Sequence, residues 1–413
     1  VKRRRPPSAR AVALDVLGRI DEEGAYANLA LSGALDRSAL SPADRRFATD
    51  LVYGTTRLRR ACDHLADRFL ARPVDPPVRN ALRLGVYQLV FAGVARHAAV
   101  GETVEVAPRP ARGLVNAVLR RVADAPVSWP DDATRLSVPD WVLDELTASL
   151  GRDRALAALA TMNEPATVSA RADGYVQDPA SQMVATAVGA RPNERVLDLC
   201  AAPGGKATAL AGAGARVVAA DVRPGRARLV RENAARVDAS DRVAVLVADG
   251  TRPPWPDGSF DRVLVDAPCS GLGTLRRRAD LRWRVEADSV ERLAGLQRRL
   301  MAAAADLVRP GGVLVFSVCT LTAAESTGID EWLADERPDL VPDAPVGGAW
   351  EPWGRGAIVL PQTADTDGMC MFRYVRADGT TDATTDATTD ATTGAATDAA
   401  TGTVGDGPAG EES

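Results

Sequence analysis

Hydrophobic and polar positions change rhythm along this chain. Over about residues 8–127, apolar residues recur at helical spacing. Val12, Val16, Leu17 and Ile20 share one face, Val78, Leu82, Val86, Leu89 and Val90 form a second stripe, and Gly113 to Arg121 carries a third. Ser41-Pro42-Ala43-Asp44 sets a capping serine before a proline suited to a first turn, and Phe47, Leu51 and Val52 follow. The pattern predicts an all-α helical domain. Pro126, Pro130 and Pro139 then mark a linker over 126–140, and a short helical segment is expected from Trp141 to Ala160.

From about residue 195, short apolar runs alternate with helical stretches. The runs are Val196 to Leu199, Val217 to Ala220, Val243 to Val247, Val263 to Val265 and Val313 to Phe316. Such runs separated by helices predict βαβ units, hence an α/β Rossmann-like domain with a mostly parallel sheet. Residues 377–413 repeat Thr-Thr-Asp-Ala with glycine and no aromatic residue. That composition cannot bury a core, so a disordered low-complexity tail is predicted. The expected division is a helical domain at 8–127, a linker and short subdomain at 128–176, the α/β domain at 177–376 and the tail at 377–413.

Charge adds a hint about partners. The formal net charge of the 413 residues is −5, but residues 1–127 hold 21 Arg and Lys against 13 Asp and Glu. A basic domain suits a polyanion, although a charged face is often only a solvated one. No run of about 18 apolar residues occurs, so no membrane span is expected. The basic start, Val1 to Pro7, lacks the apolar stretch of a signal peptide. Cys62, Cys200, Cys269, Cys319 and Cys370 are odd in number and widely spaced. They predict reduced thiols in a cytoplasmic protein rather than disulfides or a metal site. His64 and His97 are the only histidines, so a reactive thiol here needs another activator. Lys2 and Lys206 are the only lysines, and Lys206 falls in a glycine-rich loop.

In a doubly wound sheet, ligands sit beyond the carboxyl ends of the strands. The first run leads into Cys200, Ala201, Ala202, Pro203, Gly204, Gly205 and Lys206. Small residues there let the backbone approach a ligand, and the following helix offers N–H groups to an anion such as a carboxylate. The loop is not G-x-G-x-x-G, which weakens any case for a dinucleotide. Asp221 ends the second run, where an acid can take both hydroxyls of a ribose. Asp249 follows the third, near the expected place of an adenine. A single aspartate in such a place is usually a turn or cap residue. Acids in register after a glycine-rich first loop follow the general pattern of S-adenosylmethionine (SAM) methyltransferases. The fourth run ends Asp266-Ala267-Pro268-Cys269-Ser270-Gly271, and the fifth ends Phe316-Ser317-Val318-Cys319-Thr320. In the usual methyltransferase strand order these two runs are neighbours, so both thiols open on one pocket. Cys62 and Cys370 are expected as buried small hydrophobes.

The stretches Cys200 to Lys206, Asp266 to Gly271 and Ser317 to Thr320 resemble the motifs of the RsmB/Sun (NOL1/NOP2/Sun) family of ribosomal RNA cytosine-5 methyltransferases. Gly113 to Arg121 is similar to the signature of that family's NusB-like helical domain, and Gln177 to Gln182 to the segment leading into its catalytic core. The resemblance covers about residues 8–376. It implies SAM as cofactor, RNA (small-subunit ribosomal RNA) as substrate and a monomeric enzyme without metal. It further implies Cys319 as the nucleophile that adds to cytosine C6, Asp266 as the group that holds the N3 edge, and Cys269 as the thiol that helps break down the adduct. Cofactor contacts are implied for Cys200 to Lys206, Asp221, Asp249 and Asp266. Whether Lys206 orients Asp266 or neutralises another carboxylate stays open. Arg276, Arg277, Arg278, Arg282 and Arg284 are candidates to bind RNA phosphates, with Trp283 as a stacking surface.

Two stretches depart from the family pattern. Only Ala172 to Val176 separate the segment Asn163 to Arg171 from the Gln177-Asp178 motif, where relatives carry a small subdomain. Leu360-Pro361-Gln362 and Asp367 to Cys370 form an altered terminal motif. Both leave room for another RNA target, such as a tRNA. A helical RNA-binding or antitermination protein without catalysis is the rival from another class. A DNA cytosine methyltransferase would use the Pro-Cys thiol, Cys269, as nucleophile.

Overall fold

The computed structural model describes residues 8–343 and 347–378. The tail expected over 377–413 lies, from residue 379 on, outside the described residues, as does the basic stretch 1–7. Seven α-helices run from Ala9–Glu22 to Arg112–Asp124. The predicted cap forms, with Ser41 Oγ accepting from the Asp44 amide at 3.2 Å at the start of Pro42–Arg57. Val16, Leu51, Leu82 and Leu119 are buried in a core that these helices build among themselves.

The five predicted strands all form: β1 Arg195–Asp198, β2 Arg216–Asp221, β3 Val243–Val247, β4 Phe260–Asp266 and β5 Val308–Val318. Four further strands follow: β6 Leu340–Pro342, β7 Glu351–Trp353, β8 Gly356–Val359 and β9 Met369–Arg376. The sheet order is β3-β2-β1-β4-β5-β9-β8-β7, with β6 beside β9. The first five are parallel, and β9 runs antiparallel to β5. Alternate residues serve opposite faces, as a strand's period of two requires. Val263 and Val265 join one buried cluster while Leu264 joins the other. Helices cover both faces, so the sheet is mixed, mostly parallel and buried.

The stretch read as a linker is built into one of these cores. Leu136, Val138, Val142, Leu146 and Leu159 lie in the same cluster as Val263, Val265 and Phe316. The helical segment expected from Trp141 to Ala160 is two helices, Asp140–Leu150 and Arg152–Thr161, parted at Gly151. Gly151 has φ of 80°, a conformation costly for a residue with a Cβ, and it ends one helix and begins the next.

Most of the arginine-rich stretch after Cys269 is not a free RNA surface, although Arg278 and Arg284 are exposed. Arg282 is fully buried and donates to the carbonyls of Arg57 and Ser137, both at 3.1 Å, and to Asn163 Oδ1 at 2.9 Å. Burial, with Arg57 nearby, pushes its pKa down to about 9. Arg57 donates back to the Arg276 carbonyl at 2.9 Å. Trp283 is not a stacking platform for a base, because its indole N–H bonds the Thr56 carbonyl at 2.7 Å and Arg59 covers its ring. Arg284 reaches the Gly24 carbonyl at 2.7 Å, Arg276 pairs with Asp365, and Arg277 with Asp178 and Asp367. These residues pin the Cys269 loop to the N-terminal helices and to the C-terminal part of the sheet.

Replacing Arg282 by methionine strips several interfacial carbonyls of their donor. At about 1–3 kcal/mol for each buried polar group left unpaired, Arg282→Met is expected to lose about 2–4 kcal/mol of unfolding free energy in urea titrations. Wild-type stability would mean that apolar contact alone holds the interface.

Candidate active site

The site is built at the carboxyl ends of β1, β4 and β5. After β1 the chain turns through Ala201 to Gly204 into helix Gly205–Gly212. Gly204 has φ of 106°, and a Cβ there would come within 3.2 Å of Val230. The loop therefore lies flat against the next helix and leaves room above it. A cavity of about 150 Å³ opens there, lined by Ala201, Ala202, Pro203, Gly205, Lys206 and Asp266, with Asp198, Tyr175, Gln177 and Ser181 among the rest.

The segment before Asp178 supplies one wall of this cavity. Ala170 and Val176 form a bridge, so the chain turns back within Arg171 to Tyr175. Arg171 donates to the Gly205 carbonyl and to Thr208 Oγ1, and its guanidinium lies 4.7 Å from the Tyr175 ring centre.

Lys206 is buried, and its Nζ lies 2.7 Å from Asp266 Oδ2. Burial works to lower the Lys206 pKa, but the attraction and hydrogen bond of Asp266 outweigh it and raise the value. Of the two roles left open for Lys206, the geometry joins it to Asp266. The other carboxylate oxygen, Oδ1, accepts from Ser317 Oγ at 2.8 Å. Asp266 and Ser317 are register partners on β4 and β5. Just beyond them the Cys269 and Cys319 sulfurs lie 3.3 Å apart. The hydrogen bond from Cys269, helped by Arg278 and Lys206 against burial and Asp266, lowers the Cys319 pKa. The same bond, with burial, holds the Cys269 thiol up. Arg278 and Lys206 draw the Cys319 pKa down while every influence on Cys269 raises it, so of the pair Cys319 is the readier thiolate.

Other expected residues fall differently. Cys200 packs against the core, where burial raises its pKa far from that of a reactive thiol. Asp221 ends β2 buried, accepting from the Arg223 amide at 3.0 Å and Arg226 Nε at 3.1 Å. Asp249 is exposed and turned to Thr251, at 2.8 Å from its hydroxyl. Cys62 and Cys370 are fully buried, as expected, and burial lifts Cys370 to about 12. The sequence reading missed Asp198. It is the one ionisable side chain inside an apolar run, which was the signal to notice. Both its oxygens are buried without a hydrogen-bond partner among the described residues. Burial first, then Asp266, raises its pKa to about 7.

The chemistry of this lining suits a cation with a carboxylate, such as SAM. An unpartnered carboxylate, Asp198, faces the cavity, and backbone N–H groups at the start of helix Gly205–Gly212 suit the methionine carboxylate. A doubly wound sheet of this strand order, with that cradle and a helical N-terminal domain, defines a SAM methyltransferase joined to a NusB-like domain. A model of the 16S rRNA methyltransferase RsmB/F family matches residues 185–374, and one of the NusB family matches residues 7–124. The ribosomal RNA small subunit methyltransferase B of Thermus thermophilus is 38% identical, over 82% of this chain and 90% of its own. That of Pseudomonas putida is 31% identical, over 89% and 97%. The crystal structure of PH0851 has the same fold, with a TM-score of 0.73 at 21% identity, covering 90% of this chain and 99% of that one. The chain belongs to the RsmB/Sun family of methyltransferases, and SAM is its cofactor.

Asp198 gives a pH-dependent test. Its folded pKa of about 7 lies above the ordinary carboxylate value, so the stability it lends is full below about pH 4, is lost as pH rises to about 7 and changes no further above that. Asp198→Asn removes that loss, a gain of about 4 kcal/mol above pH 7 and of nothing below about pH 4. Melting curves at pH 5 and pH 8 should show the larger gain at pH 8, and calorimetry about tenfold weaker SAM binding. Equal melting shifts at both pH values would contradict this account of Asp198.

Proposed function

We propose that this protein methylates carbon 5 of a cytosine in small-subunit ribosomal RNA, with Cys319 as nucleophile. The observation that carries the reading is the pair of thiols 3.3 Å apart, one of them lowered in pKa, beside the Lys206–Asp266 pair.

Cytosine C5 is a poor nucleophile on its own. The Cys319 thiolate adds to C6, forming an S–C bond and moving electron density to C5. Asp266, fixed by Lys206 and Ser317, accepts a hydrogen bond from N3, which takes up a proton from solvent as Cys319 adds and returns it when the sulfur leaves. SAM supplies the methyl group that C5 takes. Water takes the C5 proton, and the electron pair it leaves behind expels the Cys319 sulfur from C6 as a thiolate. Cys269 assists that last step, at hydrogen-bond distance from the leaving sulfur. A base inside a helix is out of reach of this pocket, so the target nucleotide is unstacked first. Most of the arginines first assigned to RNA are structural. Phosphate contact therefore falls to exposed groups, Arg278 among them.

The relatives named for small-subunit ribosomal RNA support that substrate over tRNA. The Cys319 motif supports RNA over DNA. The test is labelled SAM with unmodified small-subunit rRNA and mapping of 5-methylcytosine. Cys319→Ala is expected to give no product, and Cys269→Ala a trapped protein–RNA adduct. Full activity in Cys319→Ala would sink the mechanism. A methylated tRNA beside untouched rRNA would refute the substrate alone. SAM binding without transfer to any RNA would favour a non-catalytic RNA-binding protein.

A further inference from the structure

Glu325 lies six residues beyond Cys319 and is fully buried. A buried carboxylate is costly unless its lone pairs are met by donors. Here four donors meet it. Oε1 accepts from the Ser270 amide at 2.8 Å and from Gln297 Nε2 at 3.1 Å. Oε2 accepts from Ser270 Oγ and from Thr322 Oγ1 at 3.0 Å. With donors on both oxygens, the site is shaped for the ionised form, and a protonated one would waste a hydrogen-bond position.

Those donors flank the two thiols. Ser270 follows Cys269. Gln297, also fully buried, donates from the same Nε2 to the Pro268 carbonyl at 2.9 Å, just before Cys269. The Ser270 hydroxyl has one proton, and Glu325 takes it. The 2.8 Å contact between Ser270 Oγ and Thr320 Oγ1 therefore has Thr320 as donor. Thr320 follows Cys319. Glu325 thus holds the Cys269 loop on both sides and, through one hydroxyl, the residue next to Cys319.

We infer that Glu325 is a positioning residue that sets the separation of the Cys269 and Cys319 sulfurs through Ser270, Gln297 and Thr320, and so governs the release step. The part concerning release rests on the reading of Cys269 given above. Loosening this clamp lets the sulfurs part. Cys319 then loses the hydrogen bond that favours its thiolate, and Cys269 no longer reaches the sulfur that has to leave.

The test uses the full chain and the variants Glu325→Gln and Ser270→Ala. Glutamine keeps the shape but turns an N–H₂ group toward donors, and alanine removes the one hydroxyl that joins Glu325 to Thr320. The first readout needs no RNA: the pH dependence of Cys319 alkylation by iodoacetamide, followed by peptide mass. Its midpoint should rise by about one pH unit in both variants, the tenfold change expected for one lost hydrogen bond to a charged sulfur. The second is the steady-state protein–RNA adduct with unmodified rRNA and SAM, which should accumulate several-fold toward the level of Cys269→Ala. An unmoved alkylation midpoint in a folded Ser270→Ala protein overturns the inference, even where Glu325→Gln fails to fold. If Cys269→Ala traps no adduct while the midpoint still moves, the reading of Cys269 fails and the positioning role stands.

Discussion

The pairing of Asp266 with Ser317 across two parallel strands is the constraint on which this site depends. Parallel neighbours bring their carboxyl ends out on the same edge of the sheet. Because β4 and β5 are adjacent and in this register, the chain that leaves each strand carries a thiol to the same point. The hydrogen bond from Ser317 Oγ to Asp266 locks the pair at the level of the last ladder residues. Beyond that level the two chains are tied by the Gly273 amide to the Cys319 carbonyl at 3.1 Å. A Cβ on Gly273 would come within 2.1 Å of the Gly368 carbonyl oxygen, so three segments cross at a spacing only glycine allows. The segment around Asp367 and Gly368 is thereby tied to the Cys269 loop, with the Gly368 amide donating to the Gly273 carbonyl at 2.8 Å.

The same loop is held from the far side by the helical domain. Arg282 and Arg57 exchange backbone contacts across the boundary, and neither is paired with a carboxylate by a salt bridge among the described residues. A buried guanidinium surrounded by carbonyls forms a rigid joint that tolerates little sliding. The NusB-like domain is therefore part of the scaffold that fixes the Cys269 loop.

Much of this was legible in the sequence, for reasons that differ by element. β1, β2, β4 and β5 read as continuous apolar runs because both faces of the sheet are covered. β6, β7 and β8 are three or four residues long, too short for a period to register, and Pro352 in β7 obscures the pattern further. Both thiols and Lys206 were visible because they stand in motifs at predicted strand ends. The arginine cluster was misread because burial of arginine is decided by what packs over it, which composition does not reveal. Asp198 was hidden inside a hydrophobic run. Glu325 gave no local signal, since its partners Gln297 and Ser270 lie 28 and 55 residues away in sequence.

The central claim is that Cys319, rather than Cys269, bonds to the base. Its most direct measurement is peptide mapping of a stalled complex. Unmodified small-subunit rRNA carrying 5-fluorocytosine leaves no proton at C5 to be lost, so the sulfur stays bonded to C6. After incubation with SAM and digestion, the nucleotide should be found on the peptide containing Cys319. Finding it on the peptide containing Cys269, or finding no covalent complex while methyl transfer to normal RNA proceeds, would contradict the account.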